Sequence, residues 1–175
     1  EYYVYNAEGI RVLKIQHTWA NTHTDNKTQV TVKTTTYLGN LEQRSVQQGA
    51  DLNTLTTTQA WQSKRINDGQ ATLATRHTWT TGTPPKAFGD SPVTLYNLSD
   101  TSDSISLQLD ASGNIITREE YLPFGGTALF TTATGIDASA ANQLKSYRYI
   151  NREKDEATSL YYDEQRYYAA WAGRW

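Results

Sequence analysis

The sequence predicts a mainly β chain: antiparallel hairpins repeated along its length, with one short helix near residues 136–145. Two turn signals of one form, Asn6-Ala7-Glu8-Gly9 and Asp110-Ala111-Ser112-Gly113, place an Asx residue first and a glycine fourth. That order suits a type I turn closing on a left-handed glycine. The segment from Gln29 to Tyr37 alternates with period two, as a half-buried strand does. Composition agrees: 12 Tyr and 5 Trp against 3 Phe, with abundant Thr, favour a pleated surface over a helix.

Taken in order, Tyr3 and Tyr5 lead into the first turn, and Arg11-Val12-Leu13-Lys14-Ile15 leaves it in alternation. Asn21 to Lys27 is polar and reads as a loop before the strand at Gln29–Tyr37. Gly39-Asn40 reads as a bend or bulge in a strand that continues through Leu41 to Val46. Residues 47–55 read as a polar loop. Thr56 to Arg65 and Ala71 to Trp79 read as strands joined at Asn67-Asp68-Gly69, because an Asp-Gly step favours a tight hairpin. Gly82 to Pro92 holds three of the four prolines and reads as a loop, since proline cannot donate to a ladder. Pro92 to Leu98 and Ser104 to Leu109 are short strands, and Ile115 to Tyr121 returns from the second Asx turn. Asp137 can cap a helix over Ile136 to Lys145, where Ala138, Ala140, Ala141 and Leu144 are good helix formers. Ser146 to Ile150 and Leu160 to Tyr168 close the chain as strands.

Bulk properties exclude several functions. Sixteen Lys and Arg against eighteen Asp and Glu give a formal net charge of −2, without the basic stripe that a dedicated nucleic-acid binder needs. The absence of cysteine removes disulfides, thiolate nucleophiles and Cys-ligated zinc. No stretch approaches the roughly 20 apolar residues of a membrane-spanning helix. The chain contains no methionine, so it is expected to be a fragment or processed piece of a longer protein.

The last third carries an ordered set of motifs: Leu109-Asp110-Ala111-Ser112-Gly113-Asn114, then Arg118-Glu119-Glu120-Tyr121-Leu122-Pro123-Phe124-Gly125-Gly126, then Arg152-Glu153-Lys154-Asp155-Glu156, Leu160-Tyr161-Tyr162, Arg166-Tyr167-Tyr168 and Gly173-Arg174-Trp175. With Tyr5-Asn6-Ala7-Glu8-Gly9 and Tyr37-Leu38-Gly39-Asn40-Leu41-Glu42, this series resembles the Rhs/YD-repeat family and its Rhs-associated core region. Within that family it is most similar to the C component of bacterial insecticidal Tc toxins. The resemblance covers 92–175 almost continuously and is thin between Val46 and Ser91. It divides the chain into a YD-repeat-like sheet segment, 1–91, and a core segment, 92–175.

The resemblance implies a segment of an antiparallel β-sheet spiral that winds into a hollow shell. The implied function is to enclose and help deliver a C-terminal effector, in an exported bacterial toxin complex. The implied partners are the remaining shell segments, or a B-component-like protein, and the enclosed effector; no cofactor, nucleic acid or membrane span is expected. The family's aspartyl self-cleaving segment would lie beyond Trp175, so no catalytic residue is carried over. The structural motif that is carried over comprises Asp110, Gly113, Tyr121, Pro123, Phe124, Gly125, Gly126, Arg152, Glu153, Asp155, Tyr161, Tyr162, Arg166, Tyr167, Tyr168, Arg174 and Trp175. Asn151 and Ser159 stand where the family has glycine, positions expected to need a positive φ or close packing. The alternative function is an extracellular adhesion or carbohydrate-binding module.

Other candidates read as structure. Glu119 and Glu120 are adjacent on a strand and point to opposite faces, so they cannot act as one acid–base pair and should pair with Arg or Lys on neighbouring strands. The alternating charges of Arg152 to Glu156 read as a solvated turn or an ion-pair network. His17, His23 and His77 lack metal-ligand spacing. Tyr161, Tyr162, Tyr167 and Tyr168, with Trp171 and Trp175, could stack sugars or bases, but read better as cross-strand packing. The Tyr121–Gly126 segment is expected to form a tight turn with Phe124 buried. Both chain ends fall within repeating strands, so their edges are expected to recruit partners.

Overall fold

The computed structural model describes residues 1–21, 28–69 and 71–175. The loop expected at 21–27 lies, Asn21 apart, outside these residues, as do His23 and Gln70. Ten strands follow one another: β1 (Tyr2–Tyr5), β2 (Arg11–Asn21), β3 (Thr28–Leu38), β4 (Leu41–Gly49), β5 (Thr56–Asp68), β6 (Ala71–Thr81), β7 (Val93–Ser99), β8 (Ile105–Leu109), β9 (Ile115–Tyr121) and β10 (Thr127–Thr132). Each is hydrogen-bonded to its neighbour in sequence. Helix α1 (Ala138–Leu144) follows. Strands β11 (Glu153–Lys154), β12 (Tyr161–Asp163) and β13 (Arg166–Tyr168) form a separate three-stranded sheet. Every pairing whose register is resolved is antiparallel. The chain divides into two compact units. One comprises Glu1–Lys64, His77–Pro84 and Asp90–Pro92; the other comprises Arg65–Arg76, Pro85–Gly89 and Val93–Trp175.

One turn recurs along the sheet. In each, the first residue's N–H donates to the carbonyl four residues on, and the fourth residue's N–H donates back to the first carbonyl. The pairs are Asn6 with Ile10 and Gly9, Asp100 with Ser104 and Asp103, Asp110 with Asn114 and Gly113, and Leu122 with Gly126 and Gly125. The fourth residue is left-handed each time, with φ of 78°, 62°, 82° and 84°. At Asn6, Asp100 and Asp110 the side-chain Oδ1 also accepts the amides two and four residues ahead, at 2.8–3.0 Å. These bonds hold the Asp110 carboxyl below its ordinary pKa, the Asn114 side chain contributing most.

In the first unit, Val30 and Val32 are buried on β3. The opposite face carries a polar and aromatic row. Tyr37, Glu42 and Ser63 stand in register across β3, β4 and β5. The Arg11 guanidinium lies between the rings of Tyr3 and Tyr37, 5.4 and 4.8 Å from their centroids. Glu42 takes the Arg44 guanidinium. Ser63 Oγ is 2.8 Å from His77 Nδ1, and the Trp61 and Trp79 rings stack at 5.8 Å.

In the second unit a buried polar ladder crosses four strands. Thr117 Oγ1 donates to Gln108 Oε1, Gln108 Nε2 donates to Asn97 Oδ1, and Asn97 Nδ2 donates to the Thr72 carbonyl, each at 3.1 Å. All four residues are buried. Around them Val93, Leu95, Ile105 and Ile116 supply the apolar packing, joined by Leu144 and Ala141 from α1. Asp137 caps that helix, accepting the amides of Ser139 and Ala140 at 2.9 and 3.1 Å.

The structure corrects four expectations. Gly39-Asn40 is a two-residue hairpin loop between paired Leu38 and Leu41, not a bend: Gly39, at φ 66°, turns the chain back on itself. Residues 47–49 belong to β4 and not to a loop, because β5 is there to pair with them. Ser146–Ile150 is not a strand. Tyr147 makes a single bridge to Glu153, and Tyr149–Asn151 is a 3₁₀ turn with Ile150 at φ 44°. Leu160–Tyr168 is two strands, folded between paired Asp163 and Arg166 with Glu164 at φ 51°. Strand β10 has no counterpart in the expected elements.

Candidate functional site

The motif residues of the last third gather around one turn. Leu122 precedes a proline, which biases it toward extended geometry, Pro123 fixes its own φ, and Gly125 supplies the left-handed fourth position. Three consecutive carbonyls of this turn each accept a phenol. The Tyr149 hydroxyl donates to Pro123 O at 3.1 Å, Tyr168 to Phe124 O at 3.0 Å, and Tyr161 to Gly125 O at 3.0 Å. The three rings pack on one another with centroids 5.9–6.5 Å apart. A fourth phenol, that of Tyr121, donates to Ile105 O at 2.9 Å. Burial pushes the Tyr121 and Tyr161 phenols well above the ordinary range, with the Glu119 charge adding to the rise. Both hydroxyls therefore keep the proton they donate.

Phe124 is the correction here. Expected in the core, it is 64% exposed. The turn is packed through its backbone, with the phenols occupying its inner side, and the Phe124 ring is left outside against Gly173. A Cβ on Gly126 would meet Leu122 at ordinary contact distance.

Beneath the turn lies a charge cluster. Glu119 is fully buried on β9, while Glu120 is exposed and pairs with Arg118 on its own strand. The opposite-face expectation is met; the expected partners from neighbouring strands are not. Glu119 Oε2 instead takes Arg148 at 2.6 Å and Lys145 at 3.0 Å, both beyond α1, and its Oε1 accepts Thr127 Oγ1 at 2.8 Å. Burial alone would raise this carboxyl's pKa; Arg148 and then Lys145 outweigh it and hold the group below its usual value. Lys145 Nζ also donates to Ile105 O at 2.9 Å, and Arg148 to Asn142 Oδ1 at 2.6 Å.

The Arg152–Glu156 run is not a solvated turn: Glu153 and Asp155 are buried. Asp155 organises a loop, its N–H donating to Leu160 O at 2.8 Å and its carbonyl accepting Ser159 N at 2.7 Å. Arg152 pairs with Asp163 at 2.6 Å, and Arg166 is 3.6 Å from the same carboxylate. Asn151 and Ser159 sit at φ 52° and 58°, the left-handed geometry expected of positions where glycine is usual. Tyr162 faces Tyr167 across β12 and β13 at 5.4 Å, as cross-strand packing requires; Trp175 meets Tyr168 at 5.0 Å from beyond the last strand, and Trp171, outside the strands too, is exposed. The Arg166 guanidinium lies 3.8 Å from the Trp175 ring centroid, and the Arg174 carbonyl accepts Ala169 N at 2.7 Å. Asp110 and Gly113 sit in their own turn, between β8 and β9. Tyr149, Lys145 and Arg148 were missed by the sequence reading; their spacing from Glu119 and the turn carries no local signal.

The groups brought together hold backbone and charge in place. Among the described residues, no group of three His, Asp or Glu could ligate a metal. The Ser63–His77 contact looks nucleophilic, but burial, then the Arg44 charge, lowers the imidazole pKa to about 3. It is a poor proton acceptor at neutrality, and both groups are closed to solvent.

Fold and cluster define a β-sheet segment of the Rhs/YD-repeat class. The chain is 35% identical to toxin subunit YenC1 of Yersinia entomophaga over 176 aligned residues, covering 100% of this chain and 16% of that protein. Toxin subunit YenC2 of the same organism is 33% identical with the same coverage. Among solved structures, a TcdB2-TccC3-TEV crystal structure matches 99% of this chain and 7% of that one, at TM-score 0.80 and 35% identity. The Photorhabdus luminescens Tc holotoxin pore matches at TM-score 0.79 and 34% identity. No protein-family model matches. Over its whole length the chain is homologous to these toxin subunits, and it spans about a sixth of their length.

Proposed function

We propose that this chain is a wall segment of an Rhs-type toxin shell, enclosing a C-terminal effector and helping to deliver it. The observation that supports this most is the shared fold with TccC3-containing structures at 35% identity across 99% of the chain. The wall's contribution is physical: paired strands isolate the cargo, and no residue of the segment is assigned chemistry. In this reading residues 92–175 are the Rhs core segment, with the tyrosine-held turn and the Arg152–Asp155 loop as its structural motif, and residues 1–91 are the YD-repeat-like part. Self-cleavage belongs to sequence beyond Trp175. The partner that completes the shell is a B-component-like protein, and the complex is exported.

The test is protease protection. The complete protein would be expressed with its B-component-like partner and an epitope-tagged effector, then challenged with protease before and after denaturation. Protection of the tag only in the folded complex is expected. A tag cleaved as fast in the complex as alone would refute enclosure. Intact mass of the 175-residue chain over days provides the second check: cleavage within it would refute a purely structural role.

A further inference from the structure

The Glu119 cluster holds one cation too many. Lys145 and Arg148 both contact its single carboxylate, with side-chain exposures of 0% and 7%. Lys154, half-buried, senses the same pair: burial and then Arg148 lower its ammonium pKa, and Glu119 and Glu156 oppose them. The other groups facing the site are the Tyr121 and Tyr161 phenols, which stay protonated, and the Phe130 ring, 5.9 Å from Lys145 Nζ and 5.2 Å from the Arg148 guanidinium. Glu153 and Asp155, also buried along the same stretch, have partners of their own.

Both contacting cations belong to residues 145–168, a strap fastened to the sheet. Its fastenings include Glu119, the Arg148 carbonyl accepting Ile105 N at 3.0 Å, Ser104 Oγ accepting Ile150 N at 3.1 Å, and the three phenols. Excess buried positive charge therefore works against the attachment of the strap. An arginine does not give up its proton in a protein; a buried lysine can.

We propose that Lys145 is the variable charge of a latch: when it loses its proton the excess cation disappears and the strap is held more firmly to β8 and β9. The neutral amine still has its hydrogen bonds, since it continues to donate to Ile105 O and Glu119, while Arg148 alone balances the carboxylate. Desolvation pushes the Lys145 ammonium down to about 8, with Arg148 acting in the same direction and Glu119 opposing. A base whose folded-state value is depressed is protonated more in the unfolded chain. Its contribution to stability therefore rises with pH, from the folded value up to the ordinary lysine value.

The experiment is urea unfolding of the full chain at about pH 7 and about pH 9.5, for the wild type and Lys145→Met, with a folding equilibrium expected to strengthen on the order of tenfold in the wild type and much less in the variant. An equal pH response in both proteins, or weakening of the wild type alone, would overturn the latch. Should Lys145→Met not fold, a lysine-selective NMR titration of the wild type decides. A midpoint near 8 is expected; an ordinary lysine midpoint would overturn the proposal.

Discussion

The ring of Tyr149 occupies the place where a side chain on Gly125 would begin: a Cβ there would overlap Cδ1, Cε1 and Cγ of the tyrosine. Gly125 also sits at φ 84°, so an alanine would be strained as well as crowded. Gly125→Ala is expected to destabilise the chain by about 3 kcal/mol or more in urea unfolding. In a Tyr149→Ala background the same substitution should cost clearly less, because only the backbone penalty remains. Equal costs in both backgrounds would show that the ring is not the obstacle.

Phe124→Ala should cost less than about 1 kcal/mol, because the exposed ring leaves little cavity behind. Tyr161→Phe, which removes only a hydroxyl, should cost about 1–2 kcal/mol by orphaning the Gly125 carbonyl. Reversal of that order in paired unfolding curves would mean that the turn is held by its apolar side chain after all.

Glu119→Gln is expected to cost about 3–5 kcal/mol, since it leaves two buried cations without their carboxylate. Glu120→Gln, at the exposed Arg118 pair, should change stability by about 0.5 kcal/mol or less. The pH response follows from the depressed Glu119 carboxyl. The stability it contributes is present above the unfolded carboxyl value and disappears as pH falls through the lower folded value. Acid unfolding of the wild type should therefore begin below about pH 5, and Glu119→Gln should flatten that limb when both are followed by circular dichroism.

Ser159→Gly should stabilise the chain by up to about 1 kcal/mol, because a non-glycine residue at φ 58° carries a left-handed penalty that glycine lacks. The gain is limited by glycine's greater freedom in the unfolded chain. A loss of stability would imply that the serine side chain makes a contact worth more than the strain.

What the sequence made legible was local. An Asx followed three places later by glycine specifies its own hydrogen bonds, so the turns at Asn6 and Asp110 could be read directly. The same turn at Asp100 closes on Asp103 and escaped, because no glycine marks its fourth place; at Leu122 it lacks an Asx, and the Pro123 and Gly125-Gly126 steps marked it instead. Opposite faces for Glu119 and Glu120 followed from strand alternation. Their partners did not, since Lys145 and Arg148 reach Glu119 only after α1 has folded back. Phe124 failed for a related reason: apolar character argues for burial, yet three phenols had already filled the inner side of its turn.

The ladder from Thr117 through Gln108 and Asn97 to Thr72 has a direction, each residue giving a proton to the next. Its members are consequently not independent units of variation. Asn97→Asp would set a carboxylate oxygen against the Thr72 main-chain carbonyl, which no replacement at 72 removes, whereas Gln108→Glu would set one against Asn97 Oδ1 and calls for a compensating change at Asn97. Divergence along this row should proceed by paired replacement or by conversion of the whole row to apolar residues. A library randomised at Asn97, Gln108 and Thr117 would be expected to return linked combinations, while the exposed positions flanking them vary freely.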